Sequence, residues 1–152
     1  MNPFFRLRVI LLEDNDALRL LFSEIFADRE YEIFAFSTPA ICPLQMMPEC
    51  RCGVNETCTD LIVSDLDMPQ MTGLSFIENQ KKKKCKCKYV ALISARWTEQ
   101  DLLLAHELGC KTFVKSSHLE GFYEWLDEVE KNIEPTRKLR NWFQEQGSLS
   151  EN

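Results

Sequence analysis

The sequence predicts an α/β fold in which five parallel strands form a doubly wound sheet with helices on both faces. Three observations support this prediction. Short apolar runs alternate with helical patterns, the runs are apolar on both faces, and polar residues follow them at their carboxyl ends. Runs of this kind suit strands that are covered on both sides. Short, right-handed crossovers then favour a doubly wound sheet.

The five predicted strands are short runs rich in β-branched and aromatic residues. They cover residues 7–12, 32–36, 60–65, 89–94 and 112–115. The third run is the clearest, because Asp65 ends it and Pro69, which cannot donate to a strand ladder, follows soon after.

Capping residues and apolar stripes predict the helices. The expected starts are at Asn15 or Asp16, at Thr38 with Pro39, at Gly73, at Thr98 with Asp101, and at Ser117 with Glu120. Pro43 falls inside the second helix and should distort or restart it. Gly109 should end the fourth helix. The last helix carries an apolar stripe of Leu119, Phe122, Leu126, Val129 and Ile133. Trp125 lies off that stripe, so both packing and partner docking are open to it.

A chain of 152 residues is expected to form one domain with a sizeable core. We assign residues 1–134 to this domain, with a cysteine-bearing insertion at about 46–59. Pro135 should end the last helix. Residues 135–152 are predicted to form a tail, partly helical around Leu139, Trp142 and Phe143.

Composition narrows the function classes. Hydrophobic residues make up 45% and charged residues 28%, which argues against disorder. A net charge of −6 argues against general nucleic-acid binding. No apolar run reaches the ~20 residues of a membrane helix, and no cleavable signal is evident. We therefore expect a cytoplasmic protein without membrane or nucleic-acid partners, whose seven cysteines stay reduced.

Polar residues end four of the strands, and a parallel sheet places those ends at one edge. Glu13 and Asp14 follow the first strand, Asp65 ends the third, Ser94 the fourth and Lys115 the fifth. Clustered carboxylates repel one another unless a hard cation such as Mg²⁺ neutralises them. Lys115 and Ser94 suit a phosphoryl group, which a carboxylate can accept as a nucleophile.

These residues resemble the response-regulator receiver domain of two-component signalling. The matching segments stand in the family's order over residues 7 to about 133. They are VILLEDND with Arg19, LIVSDLDMPQMTG, ALISA and FVK. The resemblance implies a flavodoxin-like sheet of the receiver type.

The resemblance also implies a role for each site residue. Asp65 would accept the phosphoryl group, and Ser94 would be the switch hydroxyl. Lys115 would pair with the phosphate. Mg²⁺ would be held by Glu13, Asp14, Asp65 and the backbone carbonyl of Asp67.

By the same resemblance the chain would be a single-domain response regulator rather than a turnover enzyme. Its phosphodonor would be a sensor histidine kinase or a histidine phosphotransfer protein. A downstream protein would bind the face made by the fourth helix, fifth strand and fifth helix. The sequence departs from the family where Ser116 replaces the usual proline and where Thr112 stands in place of the usual aromatic residue.

Two other functions stay open. Asp65 and Asp67 also match the DxD motif of haloacid-dehalogenase-like phosphatases, in which the first Asp is the nucleophile. That family carries the motif on its first strand, whereas two strands precede it here. A degenerate receiver used only as a binding module is the second alternative.

The cysteines predict a structural metal site, with Zn²⁺ as the expected ion. Both cysteine-bearing loops should emerge at the amino-terminal edge of the sheet, and four thiolates would complete a tetrahedral site. The candidate ligands are Cys50, Cys52, Cys58, Cys85 and Cys87. Neither loop has the common CxxC spacing, so a disulfide or free thiols remain alternatives.

Overall fold

The computed structural model describes residues 6–116 and 118–141, and its centre is a parallel sheet. The five strands of that sheet are β1 (Arg8–Leu12), β2 (Glu32–Phe36), β4 (Leu61–Asp65), β5 (Tyr89–Ser94) and β6 (Lys111–Val114). Their order is β2-β1-β4-β5-β6, and every pairing is parallel. The prediction of a doubly wound parallel sheet is confirmed.

Five α-helices connect the strands, and one 3₁₀ turn covers Pro39–Ile41. The helices are α1 (Asp16–Asp28), α2 (Pro43–Met46), α3 (Gly73–Lys82), α4 (Glu99–Glu107) and α5 (Glu120–Asn132). The prediction that Pro43 restarts the second helix is confirmed, because the 3₁₀ turn ends before α2 begins. None of the helices in the described ranges is long and apolar enough to span a membrane.

The helix caps follow from local sequence. The side chains of Asn15 and Thr98 accept hydrogen bonds from the backbone N–H groups of Leu18 and Asp101, as capping residues do. Thr72 caps α3 in the same way. Helix α5 has Leu119 as its N-cap residue and no side-chain cap, so its predicted start at Ser117 is wrong, and Ser117 itself lies outside the described residues.

The two faces of the sheet carry separate apolar cores, which is what two-sided coverage by helices requires. Helices α1 and α5 cover one face, and α2, α3 and α4 cover the other. The side chains of β1 alternate between the cores, since Val9 and Leu11 belong to the first and Ile10 and Leu12 to the second. Trp125 is buried in the first core, so the packing alternative holds for it.

The segment after α5 returns to the domain as a short strand. The two-residue strand β7 (Lys138–Leu139) pairs in parallel with β3 (Glu56–Thr57), which lies inside the cysteine-bearing insertion. The prediction of a partly helical tail is therefore wrong at Leu139. Trp142 and Phe143 lie outside the described residues.

A buried ion pair fixes the segment after α5 at the amino-terminal edge of the sheet. Asp60 is buried, and its carboxylate accepts hydrogen bonds from Arg137 at 2.8 and 2.6 Å and from the Arg8 N–H at 2.8 Å. The guanidinium of Arg8 donates to the backbone oxygens of Cys58 and Arg140. A buried carboxylate is tolerated when it is paired and hydrogen-bonded in this way.

The aromatic core between α1, α5 and β6 yields a stability prediction. Phe122 is 2% exposed, and its ring lies 5.5 Å from Phe22 and 5.4 Å from Phe113 in edge-to-face geometry. We expect Phe122→Ala to lower the free energy of unfolding by about 3–5 kcal/mol, measured by urea denaturation. Tyr123→Ala is the matched control on the same helix, because that side chain is 38% exposed. Equal losses in the two variants would contradict this description of the core.

Candidate functional site

The carboxyl edge of the sheet gathers the predicted polar residues. Glu13 directly follows β1, Asp65 and Ser94 end β4 and β5, and Lys115 directly follows β6. Two backbone hydrogen bonds extend the strand pairing into these positions, because the N–H of Glu13 donates to Phe36 and that of Lys115 to Ser94. The parallel topology thus delivers the predicted convergence.

Three carboxylates meet at this edge. Glu13, Asp14 and Asp65 each offer an oxygen, and the three oxygens lie within 4.8 Å of one another. Glu13 and Asp65 are buried, whereas Asp14 is exposed. Carboxylate oxygens are the ligands that Mg²⁺ takes in proteins, usually together with water. The donor set therefore fits Mg²⁺, and its exposed member Asp14 lies toward the solvent.

Lys115 stands between the two buried carboxylates. Its Nζ atom lies 3.1 Å from Oε1 of Glu13 and 3.1 Å from Oδ1 of Asp65. The backbone N–H of Asp67 also donates to Oδ1 of Asp65, at 3.1 Å. These two donors hold the Asp65 carboxylate in one orientation.

The charges of the site shift its proton equilibria. Burial raises the pKa of Glu13 from 4.5 to about 7, and the hydrogen bond and charge of Asp65 reinforce the effect. Burial also raises the pKa of Asp65. Burial alone would lower the pKa of Lys115, but its hydrogen bonds to Asp65 and Glu13 outweigh that effect and raise it. One lysine thus compensates the two buried acids only in part, which leaves the site ready to accept another cation.

Ser94 is buried, and its hydroxyl contacts the loop residues Asp67 and Arg96. Its hydroxyl lies 2.9 Å from Oδ2 of Asp67 and 2.6 Å from the carbonyl oxygen of Arg96, and it accepts a hydrogen bond from the Arg96 N–H. Asp67 therefore contributes its N–H to Asp65 and its carboxylate to Ser94. Its predicted role as a metal ligand through the backbone carbonyl stays a prediction.

Gly73 positions the site in a way that the sequence alone did not reveal. A side chain at this first residue of α3 would run into the backbone carbonyl oxygen of Asp65 and the hydroxyl of Ser64. The Gly73 N–H donates to Leu66 at 2.9 Å, which closes the loop that carries Asp67. The sequence signal is the glycine itself, directly after Thr72, and it predicts a helix start but not a close approach to the end of β4.

The predicted zinc site is not supported. Across residues 6–116 and 118–141, the acidic group of Glu13, Asp14 and Asp65 is the one set of three potential ligands that come within 4.8 Å of one another. Every cysteine is a free thiol. The topology does bring the two cysteine-bearing loops together, as Cys85 lies close to Cys50 and Cys52, but the sulfurs do not assemble into a metal-binding triad.

Comparison with known families decides the identity of the fold. The family model described as the response regulator receiver domain matches residues 9–120. The chain belongs to the response regulator receiver family. Phosphorelay and Mg²⁺ binding are typical of this family, whose members are signalling modules with phosphodonor kinases and downstream effectors as partners.

Solved receiver domains share the architecture. The non-phosphorylated HemR receiver domain from Leptospira biflexa is 24% identical, with a TM-score of 0.67 over 86% of this chain and 98% of that one. The Vibrio cholerae chemotaxis protein CheY4 is 21% identical, with a TM-score of 0.64 over 82% of this chain and 98% of that one. TrrA from Thermotoga maritima, solved in complex with Mg²⁺-BeF, is 21% identical, with a TM-score of 0.62 over 80% and 97%. At these identities the likeness shows the fold.

Curated relatives are longer proteins. A protein-glutamate methylesterase/protein-glutamine glutaminase from Ralstonia nicotianae is 25% identical over 88% of this chain and 34% of its own length. A second such protein, from Pseudomonas aeruginosa, is 24% identical over 87% of this chain and 37% of its own length. The chain thus spans about a third of the length of the curated relatives that it matches.

This receiver departs from the family next to the lysine. The bond between Lys115 and Ser116 is trans, like every other peptide bond of the described residues. Phe113 packs in the aromatic core, with its ring 5.8 Å from Trp125. Trp97 ties the loop after β5 to β6, because its indole N–H donates to the carbonyl oxygen of Phe113 at 2.8 Å. The aromatic residue that links β5 to β6 therefore comes from the loop after β5, and not from the position of Thr112.

The raised pKa of Glu13 yields a prediction for the metal-free protein. Its folded-state pKa of about 7 lies above its ordinary 4.5, so folding favours the protonated carboxyl. This stabilisation is complete below the ordinary pKa and is lost as the pH rises through 7. In the presence of a chelator, we expect the free energy of unfolding to fall by on the order of 1–3 kcal/mol from about pH 5 to about pH 8.

Glu13→Gln isolates this effect, because glutamine keeps the shape of the side chain and cannot titrate. The unfolding free energy of the variant minus that of the unmodified protein should therefore increase from about pH 5 to about pH 8, because only the unmodified protein loses stability through Glu13. Parallel pH profiles for the two proteins would show that Glu13 ionises at its ordinary pKa.

Proposed function

We propose that this receiver accepts a phosphoryl group on the Asp65 carboxylate from a phosphohistidine of a sensor histidine kinase or a phosphotransfer protein. The observation that carries the proposal is the position of Lys115, 3.1 Å from both Asp65 and Glu13, beside the three-acid group. The ammonium group of Lys115 can pair with the phosphoryl oxygens once the group is bonded to Asp65. The matched family supplies the class of donor.

Each residue of the site would have its own role in the phosphoryl transfer. The Asp65 carboxylate attacks phosphorus in line with the leaving imidazole, while the N–H of Asp67 and the ammonium of Lys115 keep it oriented. Glu13 and Asp14, with the backbone carbonyl of Asp67, would hold Mg²⁺ beside it. When bound, Mg²⁺ neutralises charge that gathers on the phosphoryl oxygens. The ammonium group of Lys115 can then leave Glu13 and pair with the phosphate.

The response would start at Ser94. To reach a phosphate on Asp65, its hydroxyl must leave Asp67 and the Arg96 carbonyl, which releases the loop between β5 and α4. The Trp97 hydrogen bond connects that loop to β6. The signal would therefore pass to the face made by α4, β6 and α5. Large apolar side chains on this face are exposed and suit a downstream protein partner: Leu102, Leu103, Val114 and Tyr123.

We further propose that the chain acts as a stoichiometric phosphoryl acceptor rather than as a turnover enzyme. The family match covers residues 9–120, and receiver domains of this family are signalling modules rather than turnover enzymes. The same match argues against the phosphatase alternative. The domain would comprise residues 1–134, and the tail from 135 onward would dock on it through β7.

Labelling with a small phosphodonor tests the acceptor. With Mg²⁺ and radiolabelled acetyl phosphate, we expect one phosphoryl group per chain, and loss of at least about 90% of the label in Asp65→Asn, because an amide is not a nucleophile. Asp28→Asn is the control, since Asp28 lies on the surface at the far end of α1. Undiminished labelling of Asp65→Asn would show that another residue accepts the group.

The switch is tested separately, with Ser94→Ala and Ser94→Thr. We expect both variants to bind beryllofluoride with Mg²⁺, a mimic of the phosphorylated carboxylate. In amide NMR spectra, shifts should reach α4 and β6 in the unmodified protein and in Ser94→Thr, which keeps a hydroxyl. In Ser94→Ala the shifts should stop at the carboxyl edge. Equal shifts on the α4-β6-α5 face in all three proteins would exclude Ser94 as the switch.

A further inference from the structure

The sheet has an open corner at its amino-terminal edge, because the edge strand β6 is shorter than its neighbour β5. Strand β5 begins at Tyr89, but the first residue of β6, Lys111, lies opposite Ala91. Tyr89 and Val90 are paired with β4 on one side, and on the other side they extend beyond the start of β6. No further strand of the sheet covers this corner in the described part of the chain, since β6 is the last strand.

The connection from α4 to β6 passes the corner in a tight turn. The N–H of Gly109 donates to the carbonyl oxygen of His106 at 3.0 Å. The N–H of Cys110 donates to that of Ala105 at 2.9 Å, which completes a Schellman motif. Gly109 has a φ of +77°, and no atom lies within 4 Å of the place that a side chain would take. The turn therefore leaves space beside it.

A cavity of about 300 Å³ occupies this corner. That volume is at the lower end of the range of about 300–1,000 Å³ found for small-molecule sites. Its apolar wall is formed by Tyr89 and Val90 from β5 and by Trp125 from α5. Val90 and Trp125 are buried, with 5% and 9% of their surface exposed. The wall thus offers a fixed aromatic surface on which a flat ring can stack.

The polar groups around the cavity are cationic or hydrogen-bond donors. Lys88 and Lys111 line it with their ammonium groups, and His106 adds an imidazole. No Asp or Glu of the described residues lines it. The cavity also adjoins the most basic segment of the chain, because residues 81–88 contain six lysines and no acid although the net charge is −6. The local charge therefore favours an anion.

We propose that this cavity is a binding site for a small aromatic anion. The ring would pack against Trp125 and Val90, and the anionic group would pair with Lys88 and Lys111 at the rim. A lysine ammonium is a point charge that suits a carboxylate or a phosphate alike. The site does not depend on phosphoryl transfer, because it lies at the edge of the sheet opposite Asp65.

Amide and indole NMR spectra of the full chain, titrated with phenyl phosphate and with benzoate, test the site. Mg²⁺ is left out, so that no cation at the acidic edge can bind the phosphate group. We expect shifts of the Trp125 indole N–H and of the Val90 and Gly109 amides, with a Kd of about 1 mM or lower for the better ligand. The tighter of the two probes identifies the anionic group. Inorganic phosphate lacks the ring and benzyl alcohol lacks the charge, so each should bind at least about fivefold more weakly.

A pair of double variants shows whether the lysines of the cavity bind the anion. Lys88→Gln with Lys111→Gln should weaken binding about fivefold, because both ammonium groups are lost. Lys82→Gln with Lys131→Gln is the matched control, since it removes the same charge outside the cavity and should leave the affinity unchanged. All four side chains are exposed, so both proteins should fold.

Three results would overturn the proposal. The first is the absence of shifts at Trp125 at about ten times the expected Kd of both aromatic anions. The second is binding of benzyl alcohol or inorganic phosphate as tight as that of the better aromatic anion. The third is equal weakening in the two double variants, which would show that the overall charge of the protein attracts the anion and the cavity does not.

Discussion

The contact of Lys115 with Glu13 and Asp65 is the interaction on which the site depends. Two buried carboxylates at one edge of a sheet would repel each other, and each would give up hydration on folding. A single ammonium group 3.1 Å from both compensates part of this cost. The compensation is incomplete, as the raised pKa of Glu13 shows. The same imbalance that costs free energy on folding favours the binding of a cation, and in the proposed function of a phosphoryl group, so stability and the proposed function depend on one electrostatic arrangement.

The strand ends were predictable because a parallel sheet turns local sequence signals into a spatial cluster. An apolar run followed by Asp65 or Lys115 carries no information about distance, but parallel pairing places every carboxyl end at one edge. The sequence alone therefore predicts that Glu13, Asp65 and Lys115 lie together. The helix caps at Asn15 and Thr98 were predictable for a simpler reason, since each hydrogen bond joins residues only three positions apart.

The unpredicted features depend on tertiary contacts, some of them between distant parts of the chain. The pairing of Asp60 with Arg137 joins residues 77 positions apart, and no local pattern announces it. The need for glycine at position 73 arises from the carbonyl of Asp65, which the loop brings back against the start of α3. The zinc prediction placed the cysteine loops correctly side by side. It failed because four ligands must converge within a few ångströms, and loop positions alone do not specify how thiols point.

A crystal structure of the protein with Mg²⁺ and beryllofluoride tests the account most directly. We expect beryllium to be bonded to a carboxylate oxygen of Asp65, with Mg²⁺ contacting Glu13 or Asp14. Lys115 should contact fluoride, and its contact with Glu13 should be lost. An ordered Mg²⁺ at the acidic group with no beryllofluoride on Asp65, at a saturating concentration of both, would contradict the assignment of Asp65 as the phosphoryl acceptor.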